Sequence, residues 1–187
     1  ATPEGVENIS AAERDAIWDE HIRLRSDLFR DHPLDYLFFE VTRACNLSCA
    51  YCGSGCSLAK QHTEMTTDAF IDIARQIAAD FVPANIAVAV TGGEPLTKPG
   101  ILDLFRELQR LGFRYGMVTN GWLLTDDIAR AIVDAGMFSI TLSLDAPPPL
   151  NDQLRGEGTT LAVFTAVERL HRAGYSGRLE IFSPITK

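Results

Sequence analysis

The chain has 187 residues, with 17 Lys and Arg against 25 Asp and Glu for a formal charge of −8, and 46% of its residues are hydrophobic. That length supports one apolar core, and the acidic balance without any run of Lys and Arg excludes a broad nucleic-acid surface. No stretch approaches the ~20 apolar residues that a bilayer span needs, and the polar N-terminus lacks signal-peptide architecture, so the expectation is a cytoplasmic protein with no membrane partner.

Ser10 and Glu13 have the spacing of a capping box, and Ile17, His21, Leu24 and Leu28 follow at helical spacing. This predicts an amphipathic helix over 10–30, ended by His32-Pro33, with Trp18, Leu28 and Phe29 read as ordinary packing and a peptide-binding role for the helix as the alternative. Past Asp35, short β-rich runs alternate with helical ones. Strands are predicted over 36–41, 85–91, 115–119, 138–144 and 178–183. Between them, helices are predicted over 68–81 after Thr66 or Thr67, over 100–111 behind Pro99 and ahead of Gly112, from Thr125 to Gly136, and over 160–173.

Strict alternation implies right-handed crossovers and a parallel sheet, either an open doubly wound sheet or a barrel. In the fourth strand Ile140, Leu142 and Leu144 share one face, while Ser139, Thr141, Ser143 and Asp145 share the other. A strand buried between two helix layers is apolar on both faces, so one polar face points to a wide or incomplete barrel with a ligand-holding interior. The second strand agrees more weakly, with Ile86, Val88 and Val90 opposite the small Ala87, Ala89 and Thr91. Parity alone leaves Glu40 on either face. The expected organisation is an N-terminal helical extension over 1–34 and an α/β barrel domain over 35–187.

Cys45, Cys49, Cys52 and Cys56 lie within twelve residues. Such a cluster reads as a metal site rather than a disulfide framework. The first three have the spacing C-x₃-C-x₂-C and begin four residues past the first predicted strand, where barrel enzymes assemble their sites. Three thiolates can hold an iron–sulfur cube and leave one iron open. A structural zinc site that recruits Cys56 as a fourth ligand is the alternative, as is no metal at all. None of the four histidines shows ligand spacing. Thr91-Gly92-Gly93-Glu94-Pro95 follows the second strand; its glycines permit close backbone approach to a ligand, and its carboxylate could accept from an ammonium group.

In this order, at the ends of consecutive strands, the two motifs resemble the radical S-adenosylmethionine (SAM) superfamily, over residues 36–187. The resemblance implies a partial (β/α)6-type barrel, of which about five βα units are counted here, so that the C-terminal part is expected to be missing. It implies that Cys45, Cys49 and Cys52 bind a [4Fe–4S] cluster whose open iron is chelated by SAM. One-electron reduction, from a donor such as flavodoxin or ferredoxin, then cleaves SAM to a 5′-deoxyadenosyl radical that abstracts hydrogen from a substrate. By the same resemblance, Tyr51 lies near the adenine, and Gly92, Gly93 and Glu94 hold the SAM amino group. Ser143 matches a position that contacts the ribose or carboxylate, Arg155 one near the carboxylate, and Asn120 a cofactor-binding position at the end of the third strand, while Asp145 continues the polar face of the fourth strand. The pattern around Cys45 and from Ser143 to Arg155 looks most like members that modify peptides or proteins, with nucleotide- or cofactor-biosynthetic members as the competing branch. The reading of another class is a zinc-stabilised or non-catalytic domain that keeps the fold.

Overall fold

The computed structural model describes residues 10–31, 34–56 and 63–184, and side chains of the first helix up to residue 25. The chain groups into two units, Ala1–Asp35 and Tyr36–Lys187. In the first, helix α1 spans Ala11–Asp31. The capping box forms: Ser10 N donates to Glu13 Oε2 at 2.8 Å, and Glu13 N donates to Ser10 Oγ at 3.2 Å. The expected stop at His32-Pro33 lies outside the described residues. Ile17, Trp18, Ile22 and Leu24 are exposed, and among the described residues the Trp18 ring stacks on His21 at 5.7 Å. The side chains of Leu28 and Phe29 lie outside the described residues.

The second unit runs β1 (Tyr36–Thr42), α2 (Thr67–Asp80), β2 (Ala87–Gly92), α3 (Ile101–Leu111), β3 (Arg114–Thr119), α4 (Asp126–Asp134), β4 (Ser139–Ser143), α5 (Leu150–Arg155), α6 (Thr159–Arg172) and β5 (Arg178–Phe182). All neighbouring strands are parallel, in the order β1-β2-β3-β4-β5. A doubly wound sheet reverses its strand order at a switch point. The unbroken order here decides for the barrel type, because crossovers of one hand place every helix on the same face.

On that helix-covered face Phe39, Val41, Val88, Val90, Tyr115, Met117, Ile140 and Leu142 are buried. Helices α2 and α3 bring Phe70 against Phe39 (ring centroids 5.4 Å apart) and Phe105 against Tyr115 (5.9 Å). The alternate residues form an open face. Tyr36, Phe38 and Glu40 are exposed there, opposite buried Phe39 and Val41, which settles the side on which Glu40 lies. Ser139 and Thr141 line a cavity of about 270 Å³ on this face, together with Ala89, Gly116, Arg178 and Glu180. Glu180 accepts a hydrogen bond from Thr141 Oγ1 at 3.2 Å and forms an ion pair with Arg178 Nε at 2.7 Å.

Two local expectations change. Strand β2 starts at Ala87 rather than 85, because Pro83–Asn85 form a 3₁₀ turn whose proline presets the backbone. Helix α5 was not expected at all, since the proline-rich run ahead of it reads as loop. On β5, Leu179 and Ile181 are exposed at positions equivalent to the buried ones of the other strands, although Leu179 borders a cavity with Leu170 and His171 of α6. No described helix is long and apolar enough to cross a membrane.

Candidate cofactor site at the C-terminal edge of the sheet

Each strand from β1 to β4 delivers one part of the site at or just past its last residue, as expected for a parallel barrel. Cys45, Cys49 and Cys52 follow β1, Gly92 and Gly93 end β2, Asn120 follows β3, and Ser143 and Asp145 end β4. All of them, with Tyr51 and with Arg155 from the end of α5, line one cavity of about 410 Å³. Of the residues expected at the site only Glu94 is absent from this wall. Cys56 is buried and borders the same cavity. Among the described residues no three His, Cys, Asp or Glu side chains converge on the position of a single metal ion.

The cysteine loop is held by its neighbours. Asn120 Nδ2 donates to Asn46 Oδ1 at 2.8 Å and lies 3.9 Å from Cys45 Sγ, while its Oδ1 accepts from Trp122 N at 2.9 Å. From the other side, Ala50 N donates to Leu154 O at 3.0 Å, and Cys49 Sγ lies 4.0 Å from Arg155 O. Burial pushes the Cys45 and Cys49 thiols up, whereas backbone donation from Cys56 draws Cys52 down.

The close approach that Gly92 and Gly93 allow is to the cysteine loop's own root. A Cβ on Gly92 would sit 2.3 Å from Thr42 O, and one on Gly93 would sit 2.2 Å from Ala44 O. With φ at +133°, Gly92 also occupies a conformation that other residues avoid. The adjoining amides make the contact a bonded one: Gly93 N donates to Thr42 O and Glu94 N donates to Ala44 O, both at 2.8 Å.

Glu94 is fully buried. Its Oε1 accepts from Thr119 Oγ1 at 2.8 Å and Leu96 N at 3.1 Å, and its Oε2 accepts from Asn120 N at 2.8 Å. Burial pushes this carboxyl up, against the opposing pull of those donors. The carboxylate expected to meet an ammonium group directly is thus occupied by protein donors, and it joins the ends of β2 and β3.

On the far wall, Arg155 NH1 grips both Asp145 oxygens at 3.0 and 2.9 Å, and Tyr51 Oη donates to Asp145 Oδ2 at 2.8 Å. The Asp145 and Arg155 side chains are 2% and 16% exposed, so this ion pair escapes most of the screening that weakens surface pairs. Arg155 Nε is buried and has no partner. Two residues that the sequence did not single out support this wall. Asn151, fully buried, accepts from Asp145 N at 2.9 Å and donates to Thr159 and Thr160. Hydrogen bonds from Thr160, Gly158 and Thr159 hold Asp152 well below the usual carboxylate range. An Asn-Asp pair just after prolines is the turn signal that could have flagged them.

Three soft thiol donors on one wall, facing a guanidinium and hydroxyl groups on the other, fit an iron–sulfur cluster beside an amino-acid cofactor. Comparison with known proteins agrees. The Radical SAM superfamily model matches residues 39–185. The AdoMet-dependent heme synthase of Methanosarcina barkeri is 31% identical over 139 residues, covering 73% of this chain and 39% of that protein. The PqqA peptide cyclase of Streptomyces rochei is also 31% identical over 139 residues, covering 74% of this chain and 37% of that protein. Among solved structures, Streptococcus suis SuiB bound to S-adenosylmethionine superimposes with a TM-score of 0.68 at 16% identity, over 97% of this chain and 42% of its own. The chain therefore spans about two fifths of the length of these proteins. With the family match running from inside β1 to beyond β5, and the motif cysteines and glycines meeting at one cavity, the chain belongs to the radical SAM superfamily, whose cofactors are a [4Fe–4S] cluster and SAM.

Proposed function

We propose that this barrel, as part of a longer protein, binds a [4Fe–4S] cluster through Cys45, Cys49 and Cys52 and directs radical chemistry onto a peptide or protein substrate. The observation that carries the reading is the single cavity shared by the three motif cysteines, the Gly92-Gly93 backbone and the Asp145–Arg155–Tyr51 group. When bound, the cluster and SAM would supply a 5′-deoxyadenosyl radical after one-electron reduction by a flavodoxin- or ferredoxin-type donor. The protein's own residues bind and orient. The unpartnered Arg155 Nε suits the SAM carboxylate, Ser143 and Asp145 suit its hydroxyls, and Tyr51 suits the adenine edge. Asn120 holds the loop that carries Cys45, and Glu94 supports the glycine turn from beneath rather than by direct contact.

Substrate would occupy the open face. Val118 borders both the cofactor cavity and the cavity lined by Thr141 and Glu180, so the two spaces adjoin. The peptide cyclase relative supports a peptide substrate, and the heme synthase relative keeps a cofactor-biosynthetic substrate as the second reading. A cytoplasmic location suits cysteines that must stay reduced. In domain terms, residues 35–187 form the domain that carries the site, and 1–34 form an N-terminal extension that contains α1.

The test is anaerobic iron–sulfur reconstitution of the full protein, followed by electron paramagnetic resonance after reduction, with and without SAM. A four-iron signal that changes on adding SAM is expected, together with loss of bound iron in Cys45→Ser, Cys49→Ser and Cys52→Ser. Retention of a single zinc, or of no iron, would overturn the proposal in favour of a structural relative.

A further inference from the structure

Outside the cofactor cavity, Glu64 is a charged group of the rim met by three donors, from Thr42, Arg43 and Lys98. Its Oε1 accepts from Arg43 N at 2.6 Å, and Thr42 Oγ1 lies 3.1 and 2.9 Å from its two oxygens. Lys98 Nζ lies 3.3 Å from Oε2 and donates to Met65 O at 2.5 Å, with its side chain only 8% exposed. Burial pushes the Glu64 carboxyl up, but the donors around it more than offset this and hold it below its ordinary value.

The positions of these residues in the chain give the cluster its meaning. Arg43 is the first residue after β1, two before Cys45, and Glu64 lies 21 residues later, beyond all four cysteines. Lys98 follows the turn that supplies Gly92 and Gly93. One carboxylate therefore ties the outgoing end of the cysteine loop to its starting point and to the glycine turn. Thr42 and Ala44 complete the junction, since their carbonyls accept from Gly93 N and Glu94 N at 2.8 Å, and Ala44 N donates to Thr42 Oγ1 at 3.0 Å. Neither Glu64 nor Lys98 lines the cofactor cavity; both border a separate cavity with Met65 and Asp103.

We propose that Glu64, neutralised by Lys98, is the positioning residue that staples the two ends of the cysteine loop together and sets its register against the glycine turn. Closing a loop of this length costs entropy that charge-assisted hydrogen bonds in a half-buried site can offset. Removing either partner leaves the other charge poorly solvated, so both single variants loosen the junction. The proposal rests on the cluster reading only for its consequence, which is that the thiolates are delivered already ordered. The staple itself is a property of the protein without iron.

The experiment starts from the full protein free of cluster. The alkylation rates of Cys45, Cys49 and Cys52 by iodoacetamide are followed site by site in the wild type, Glu64→Gln, Lys98→Met, the double variant and Thr42→Val, with Arg75→Ala as a distant control. Rates about tenfold faster are expected for Glu64→Gln and Lys98→Met, as for a local opening that has lost one charged hydrogen bond. The double variant should resemble the worse single one, because the two residues act as one unit. Thr42→Val, which removes only a hydroxyl, is the milder probe should the charge variants fail to fold, and should accelerate alkylation by a smaller factor. Hydrogen exchange in α3 and α6 should stay as in the wild type, which a purely global loss of stability would not allow. Unchanged alkylation in the variants that fold overturns the staple, as does acceleration matched by faster exchange throughout both helices. After reconstitution, the same variants should lose iron faster to a chelator. If the wild type takes up no iron, the cluster reading fails while the alkylation data still decide the staple.

Discussion

On β4, Ile140 and Leu142 are fully buried beneath helices, while Ser139 and Thr141, one residue away on the same strand, border an open cavity. The two faces of the sheet are held by different physics. The helix-covered face is stabilised by burial and close packing, with Leu104, Phe105 and Leu108 of α3 fully excluded from water. At the open face and the strand ends, order comes from hydrogen bonds and ion pairs among Glu94, Asp145, Arg155, Glu64 and Lys98. One face can keep the fold together while the other remains free to hold cofactors, because the stabilising area lies away from the ligand. Substitutions on the first should cost stability first, and substitutions on the second should cost binding first.

The largest expected effect is on the packed face. Phe105→Ala removes a fully buried ring stacked on Tyr115 and should cost about 3–5 kcal/mol of stability in guanidinium unfolding. A loss below about 1 kcal/mol would mean that this face is not the main source of stability. Glu94→Gln comes next. The amide would turn an N–H toward donors that now meet carboxylate oxygens, at a cost of about 1–3 kcal/mol in thermal or chemical unfolding. In reconstituted protein it should weaken SAM binding, read by titrating the cluster signal, more than it reduces iron content. Equal loss of both would show that Glu94 supports the whole rim rather than the glycine turn.

The smallest effect sharpens the contrast with a surface group. Hydrogen bonds from Arg110 and then Arg75 hold the Glu107 carboxyl down to about 2. A depressed carboxylate contributes stability that is present above its ordinary range, near 4.5, and is lost as the pH falls through that range toward about 2. Glu107→Gln should therefore flatten the acid limb of a stability-against-pH curve and leave neutral-pH cofactor binding unchanged. A shift in SAM affinity would show that the helix layer and the rim are coupled.

Much of the fold was legible because its signals are local. The Ser10–Glu13 box, the Thr66 and Thr125 caps and the two-residue alternation in β2 and β4 all depend on neighbours within four residues, and all appear in the structure. The short helix α5 escaped because its stabilising bonds run from Asn151 and Asp152 to residues six to nine positions away, one of them back across a run of prolines to Asp145. Glu64 and Lys98 escaped for a related reason: a single Glu and a single Lys 34 residues apart carry no pattern.

The sequence by itself determined the α/β alternation, the cysteine spacing and the glycine turn, since each is written in contiguous residues and local backbone preference. Tertiary structure alone decided the unreversed strand order, the burial of Glu94 under three donors and the pairing of Asp145 with Arg155. It also brought Tyr51 within 2.8 Å of Asp145, 94 residues away in the chain. Such contacts exist only once parallel strands bring their C-terminal ends to one edge, and no spacing rule within the chain encodes them.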